Sequence, residues 1–217
     1  MSWIITPEQK VAPTVWDPNF LNVSLLLHGN GTNGSTTITD NSPSPKTVTA
    51  VGNAQISTAQ SKFGGASIYL DGTGDWLTTP SSNDFAYGTG AFTLEGWLNP
   101  ATITGADRII WDQRLTPADI GIVFFIDSSG RLNSYQGGAL RANSGSLLLQ
   151  SNVWQHFAYV RNAGVLSVYI GGQFGGSATL AGSLTSPGTV RIGVRQDNLF
   201  LYSGYIDDLR ITKGVAL

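Results

Sequence analysis

Trp111-Asp112-Gln113-Arg114, Tyr135-Gln136 and Arg195-Gln-Asp-Asn198 combine aromatic rings with planar amides, guanidinium groups and carboxylates. Such a mixture can hold a hydroxyl-rich ligand: a ring packs on its apolar face and a few polar groups fix its orientation. Trp111, Gln113, Arg114, Tyr135, Gln136, Asp197 and Asn198 are therefore the candidate binding residues, with Arg141, Phe200 and Tyr202 nearby in sequence. The competing reading places Trp111 and Tyr135 in the core and leaves the polar residues to solvate loops. A further acidic position stands apart. Strand alternation along Tyr202 to Thr212 puts Asp207 on one face with Tyr205, Leu209 and Ile211, and Asp208 on the other with Ile206, Arg210 and Thr212. A carboxylate on an apolar face needs a cation or several hydrogen-bond donors.

Catalysis finds fewer residues. Hydrolysis of a glycosidic bond needs two carboxylates flanking it, and the chain has two glutamates, Glu8 near the N-terminus and Glu95. No carboxylate follows Glu95 at the next same-face positions of its strand. Asp71 and Asp75 flank a turn. His28 and His156 sit in strands beside apolar residues and read as packed histidines with local partners. No nucleophile elbow, phosphate loop or zinc spacing is present. The chain does not read as an enzyme.

The elements that must position these residues are strands. Val23–His28, Ala66–Leu70, Asp75–Thr79 and the alternating Phe92–Asn99 come first, followed by Arg108–Asp112, Gly121–Ile126 and Arg131–Tyr135. Asp127-Ser-Ser-Gly130 is a hairpin turn, and Asn162-Ala-Gly164 joins Trp154–Arg161 to Val165–Ile170. Gly175–Leu180, Thr189–Val194 and Tyr202–Thr212 complete the set. Short strands at this spacing predict an all-β sandwich or jelly roll of two stacked antiparallel sheets. Residues 20–217 form that domain. Residues 1–19 carry three prolines, Trp3 and Trp16 and show no periodicity, so they read as an extended arm. Two tryptophans are good interface anchors, which favours an assembly arm over a disordered leader.

Composition narrows the partners. The 217 residues carry a formal net charge of -2 and only 12% charged side chains, with no basic run. Nothing electrostatic attracts nucleic acid or an anionic membrane. The absence of cysteine excludes disulfides, thiol catalysis and thiolate metal sites. No apolar run approaches the ~20 residues of a membrane-spanning helix, and the N-terminus lacks the pattern of a secretory signal. Synthesis in a cytoplasm is the expectation.

Five segments in order carry a family resemblance. They are Leu25-Leu-Leu-His-Gly-Asn-Gly-Thr-Asn-Gly-Ser35, Phe63-Gly-Gly-Ala-Ser-Ile-Tyr-Leu-Asp-Gly72, Phe92-Thr-Leu-Glu-Gly-Trp97, Trp154-Gln-His-Phe-Ala-Tyr-Val-Arg161 and Gly204-Tyr-Ile-Asp-Asp-Leu-Arg-Ile211. Together, over roughly residues 21 to 216, they resemble the laminin-G-like, concanavalin A-type jelly roll, in the branch common in tailed bacteriophages of marine and cyanobacterial hosts. The resemblance implies two curved sheets with a concave face and a lectin-like or structural role. It also implies a calcium site near the first loop and last strand in some members, which maps onto Asn30 and Asp207 with Asp40 as helper. Many relatives have Asp where this chain has Asn30, which removes a charge that calcium favours. The alternative is that Asp207 accepts hydrogen bonds from the Gly-rich loop.

The expectation is a non-catalytic virion protein of a phage, a capsid decoration or tail-fibre component. Its arm would serve homo-oligomerisation and attachment to other virion proteins, and surface glycan would be a further partner. A free-standing lectin is the alternative, and a glycoside hydrolase a remote one.

Overall fold

The computed structural model describes residues 17–116, 121–184 and 188–217. A 3-10 turn, Phe20–Asn22, leads into β1 (Val23–Leu27), β2 (Thr49–Val51), β3 (Gln55–Ser57), β4 (Ser67–Leu70) and β5 (Trp76–Thr79). A second 3-10 turn, Asn83–Phe85, precedes β6 (Phe92–Pro100), β7 (Arg108–Asp112), β8 (Val123–Ile126), β9 (Leu132–Gln136) and β10 (Ala139–Asn143). Then follow β11 (Gln155–Asn162), β12 (Val165–Ile170), β13 (Gln173–Thr179), β14 (Val190–Ile192) and β15 (Gly204–Lys213).

These strands make two antiparallel sheets, as the alternation predicts. The eight-stranded sheet runs β13-β12-β11-β6-β15-β4-β3, with β1 also paired to β15, and the seven-stranded sheet runs β10-β9-β8-β7-β14-β5-β2. β2, β3 and β10 are short additions that the sequence pattern does not reveal. Between the sheets lies one continuous core, including Leu94, Leu98, Trp111, Phe124, Phe157, Tyr159, Ile206 and Leu209. Burial of such apolar surface is the main stabilising term of the fold.

Among the bulges that interrupt the alternation, two correct an expectation. On β7, Ile109 pairs with Phe125 while Trp111 pairs with Phe124, so Ile110 is an extra residue. Ile110 and Trp111 both enter the core, and Ile109 is left on the outer face. On β15, Asp207 opposes Trp97 and Arg210 opposes Glu95, so Asp208 and Leu209 share one partner. Ile206, Leu209 and Ile211 face the core, whereas Asp207, across from Trp97, lies on the outer side. Asp207 therefore does not share a face with Leu209 and Ile211, because a bulge shifts the period-2 phase by one residue. Asp208 takes a left-handed φ of 46° at the bulge and bonds His28, so the two aspartates do not point to opposite faces.

Candidate functional site

The outer face of the seven-stranded sheet is apolar at its centre. Ile109, Val123 and Phe125 cluster there, with Tyr135 and Phe200 packed against them. Cross-strand pairing explains the grouping: Ile109 opposes Phe125 and Val123 opposes Tyr135, so one face collects all four. Above this floor is a cleft of about 400 Å³, edged by Asp107, Arg114, Arg195, Asp197 and the exposed Leu140. An apolar floor with a few convergent polar groups is the usual build of a small-ligand site.

The polar rim is preorganised. Arg114 donates from Nε and Nη2 to the two carboxylate oxygens of Asp112, at 3.0 and 2.9 Å, and its guanidinium lies 5.5 Å from the centre of the Tyr135 ring. Gln196 steadies the pair by donating its backbone N–H to Asp112 Oδ2 and its side-chain amide to the Asp112 carbonyl. Arg195 makes a second two-pronged bridge, to Asp197 at 2.9 and 2.6 Å, and stacks 4.2 Å from the centre of Phe200. The Arg195 hydrogen bonds hold the Asp197 carboxyl below its ordinary pKa, and Asp197 in turn raises that of Arg195. The loop that presents them is strained: Asn198 and Phe200 take left-handed φ values of 64° and 60°. Such strain in a bulky side chain persists only when its surroundings enforce it, and it clusters at functional sites.

The expected binding residues divide. Arg114, Tyr135 and Asp197 line the cleft. Trp111 does not: it is wholly buried, edge-on to Phe85, and donates its indole N–H to Gln113. Gln113 is buried with it and donates to the Phe85 carbonyl. Gln136 is buried too and donates to the Tyr159 hydroxyl, whose pKa burial pushes up. These three have no surface for a ligand. The Asn198 carboxamide accepts from Arg191 rather than lining the cleft, and Tyr202 is fully buried. Sequence reasoning missed Ile109, Val123 and Phe125. The signal was the unbroken run Ile122-Val-Phe-Phe-Ile126, since apolar residues on both faces of a strand mean that both faces are covered.

The residues matched to calcium do not form a site. Asp40 is buried and accepts four donors, the backbone N–H groups of Leu26, Ser42 and Lys46 and the Ser42 hydroxyl, so neither oxygen is left for a metal. Asp207 Oδ2 accepts the N–H groups of Lys62 and Phe63, at 2.8 and 3.0 Å. Backbone donors thus hold it, though they come from the β3–β4 loop rather than from the Gly-rich loop after β1. Asn30 touches that same loop, where its Oδ1 abuts Gly64. Asp207 Oδ1 is the one feature suited to a cation, buried and without a well-formed hydrogen bond among the described residues. One carboxylate and one amide do not make the six to eight oxygens of a calcium site. No group of three or more His, Asp or Glu suited to a metal exists among the described residues. Trp3 and Trp16 lie outside the described residues.

The fold agrees with sequence comparison. The profile of the concanavalin A-like lectin/glucanases superfamily matches residues 71–216, and the chain belongs to that superfamily. No curated protein sequence matches it significantly. Among solved structures, the receptor-binding domain of botulinum neurotoxin mosaic serotype C/D superposes with a TM-score of 0.68 at 18% identity, covering 91% of this chain and 49% of that one. The binding domain of botulinum neurotoxin DC in complex with SialylT gives 0.64 at 17% identity, covering 89% and 48%. A botulinum neurotoxin type C structure, described as depending on two ganglioside molecules for cell entry, gives 0.65 at 16% identity, covering 91% and 49%. The chain spans about half the length of these structures. At such identities the likeness is one of fold.

Proposed function

We propose that this protein is a non-catalytic carbohydrate-binding jelly roll that holds a glycan in the cleft on the outer face of its seven-stranded sheet. The observation that carries the reading is the apolar floor beside Tyr135 and Phe200, rimmed by two arginine–aspartate pairs. A pyranose has an apolar face and a hydroxylated edge, and the cleft offers a surface for each. Membership of a superfamily that includes lectins supports it, as do similar structures described with SialylT and gangliosides. The absence of catalysis is part of the proposal. A glycosidase acid must hold a proton at working pH, whereas Asp197 is kept ionised by Arg195 and Asp112 is tied to Arg114. Glycan-array screening followed by calorimetry tests the reading. Tyr135→Ala and Arg195→Ala should each weaken the best ligand at least about tenfold, the loss of roughly 1.4 kcal/mol of contact. Unchanged affinity in both would remove the cleft from consideration.

A second reading extends the first: the domain serves in a bacteriophage virion as a homo-oligomeric decoration or fibre-associated protein, attached by its N-terminal arm. It is supported by the sequence resemblance and by Asp17, which bridges Arg210 at 2.7 Å and so ties the base of the arm to the sandwich. Light scattering of the full chain beside one beginning at Asn22 tests it. A defined oligomer reduced to a monomer by the truncation is expected; identical masses would remove self-assembly from the arm's role.

A further inference from the structure

The outer face of the eight-stranded sheet carries a second cleft, of about 440 Å³, to which the reading above gives no role. Glu95 lies within it, between His156 and Arg210. Glu95 Oε2 is 3.6 Å from His156 Nε2, and Oε1 is 3.8 Å from Arg210 Nε. Both separations are too long for a hydrogen bond, and no hydrogen bond reaches the Glu95 carboxylate from any described residue. Its neighbours are differently placed: His28 Nδ1 meets Asp208 at 2.5 Å, and Arg210 Nε donates to the Thr212 hydroxyl at 2.9 Å. Arg210 Nη2 is buried and, although 2.7 Å from Asp17, has no acceptor in line with its N–H. A half-buried carboxylate is thus held just beyond contact with two donors, in a cavity with room for a group beside all three.

We propose that this cleft is a second ligand site, for a neutral group bearing two adjacent hydroxyls, as on a hexopyranose ring. A hydroxyl both donates and accepts. One placed beside Oε2 donates to Glu95 while accepting from His156 protonated at Nε2; its neighbour donates to Oε1 while accepting from the Arg210 guanidinium. Charge selects against the alternatives. An anion would meet Asp17, Glu95 and Asp208, and a cation would find Asp17 and Asp208 already paired, with Arg210 and His28. The stacking of the two sheets sets this site on the face opposite the first cleft, so one chain would bind at two opposed surfaces.

Trp97 lines the cleft, and its indole N–H gives a resolved reporter in amide-correlation NMR of the full chain. Titration with the methyl glycosides of mannose, glucose and galactose should shift that signal with at least one of them. Glu95→Gln should weaken the response at least tenfold, and Tyr135→Ala should leave it intact, which separates this site from the first. His156→Phe keeps a ring against Trp97 and serves as the second variant should Glu95→Gln misfold, a failure the same spectra would reveal. No movement of Trp97 with any glycoside overturns the proposal, as does an undiminished response in both variants. A shift with N-acetylneuraminic acid or glucosamine alone overturns the neutral class of ligand.

Discussion

Asp207 is held by two backbone N–H groups, yet it is fully buried with one oxygen lacking a well-formed bond, and burial pushes its carboxyl pKa up, partly offset by the Phe63 and Lys62 donors. The sign of the linkage follows. A folded pKa above the unfolded value of about 3.9 favours the protonated form in the fold. The contribution is fully present below that unfolded value and is lost as pH rises through the folded one. Asp207→Asn keeps an acceptor for Lys62 and Phe63, cannot ionise, and offers an N–H where the acid would offer an O–H. Urea unfolding should find it at least as stable as the parent at pH 7, with the difference shrinking by pH 4. A variant clearly weaker at pH 7 would mean that the carboxylate is ionised and compensated by a cation. The binding residues teach a related lesson. Arg114, Tyr135 and Asp197 were legible as residue types suited to a ligand, but Trp111 and Gln136 are the same types and lie in the core, because side-chain chemistry does not say which face of a strand it occupies.

At the scale of the element, the two bulges decide which face. The β15 bulge had a trace in the sequence: Gly96 stands mid-strand in Glu-Gly-Trp, and glycine inside a strand often marks a bulge or close approach. In the structure Gly96 lies opposite the bulge, where an added Cβ would come 3.1 Å from the Leu209 Cα and 3.3 Å from Phe157. Gly96→Val should cost about 1–3 kcal/mol of overpacking, read as a lower thermal midpoint. It should also disturb both Glu95 and Asp208, which flank the register shift. The β7 bulge has no such trace. Arg-Ile-Ile-Trp-Asp is an unremarkable strand, and only its pairing with β8 reveals that Ile110 is the extra residue. That one insertion buries Trp111 and aligns Ile109 outward, with Asp112 and Arg114 reaching the cleft side.

For the whole molecule, a buried cation ties together segments distant in the chain. Arg161 is fully buried on β11 and donates from Nη1 to the Gly88 carbonyl and from Nη2 to those of Leu180 and Gly182, each at 2.8 Å. It joins the segment before β6 to the segment after β13, and burial pulls its pKa down. Arg161→Met fills similar space but removes three hydrogen bonds and leaves the Leu180 and Gly182 carbonyls without that donor, while Gly88 keeps the Leu184 N–H, so denaturant unfolding should register a loss of at least about 3 kcal/mol; a loss below about 1 kcal/mol would show that water replaces the guanidinium. By itself the sequence determined the fold class, the position of most strands, the family and the segments that carry the first cleft. The fold class and strands follow from period-2 alternation and turn chemistry, which are local, and the family from five motifs in order. Which residues of those segments face a ligand was decided by tertiary pairing, since a single inserted residue reverses every face after it. The Glu95 cleft was decided the same way: His28, Glu95, His156 and Arg210 are far apart in the chain and meet only because β1, β6, β11 and β15 share one sheet.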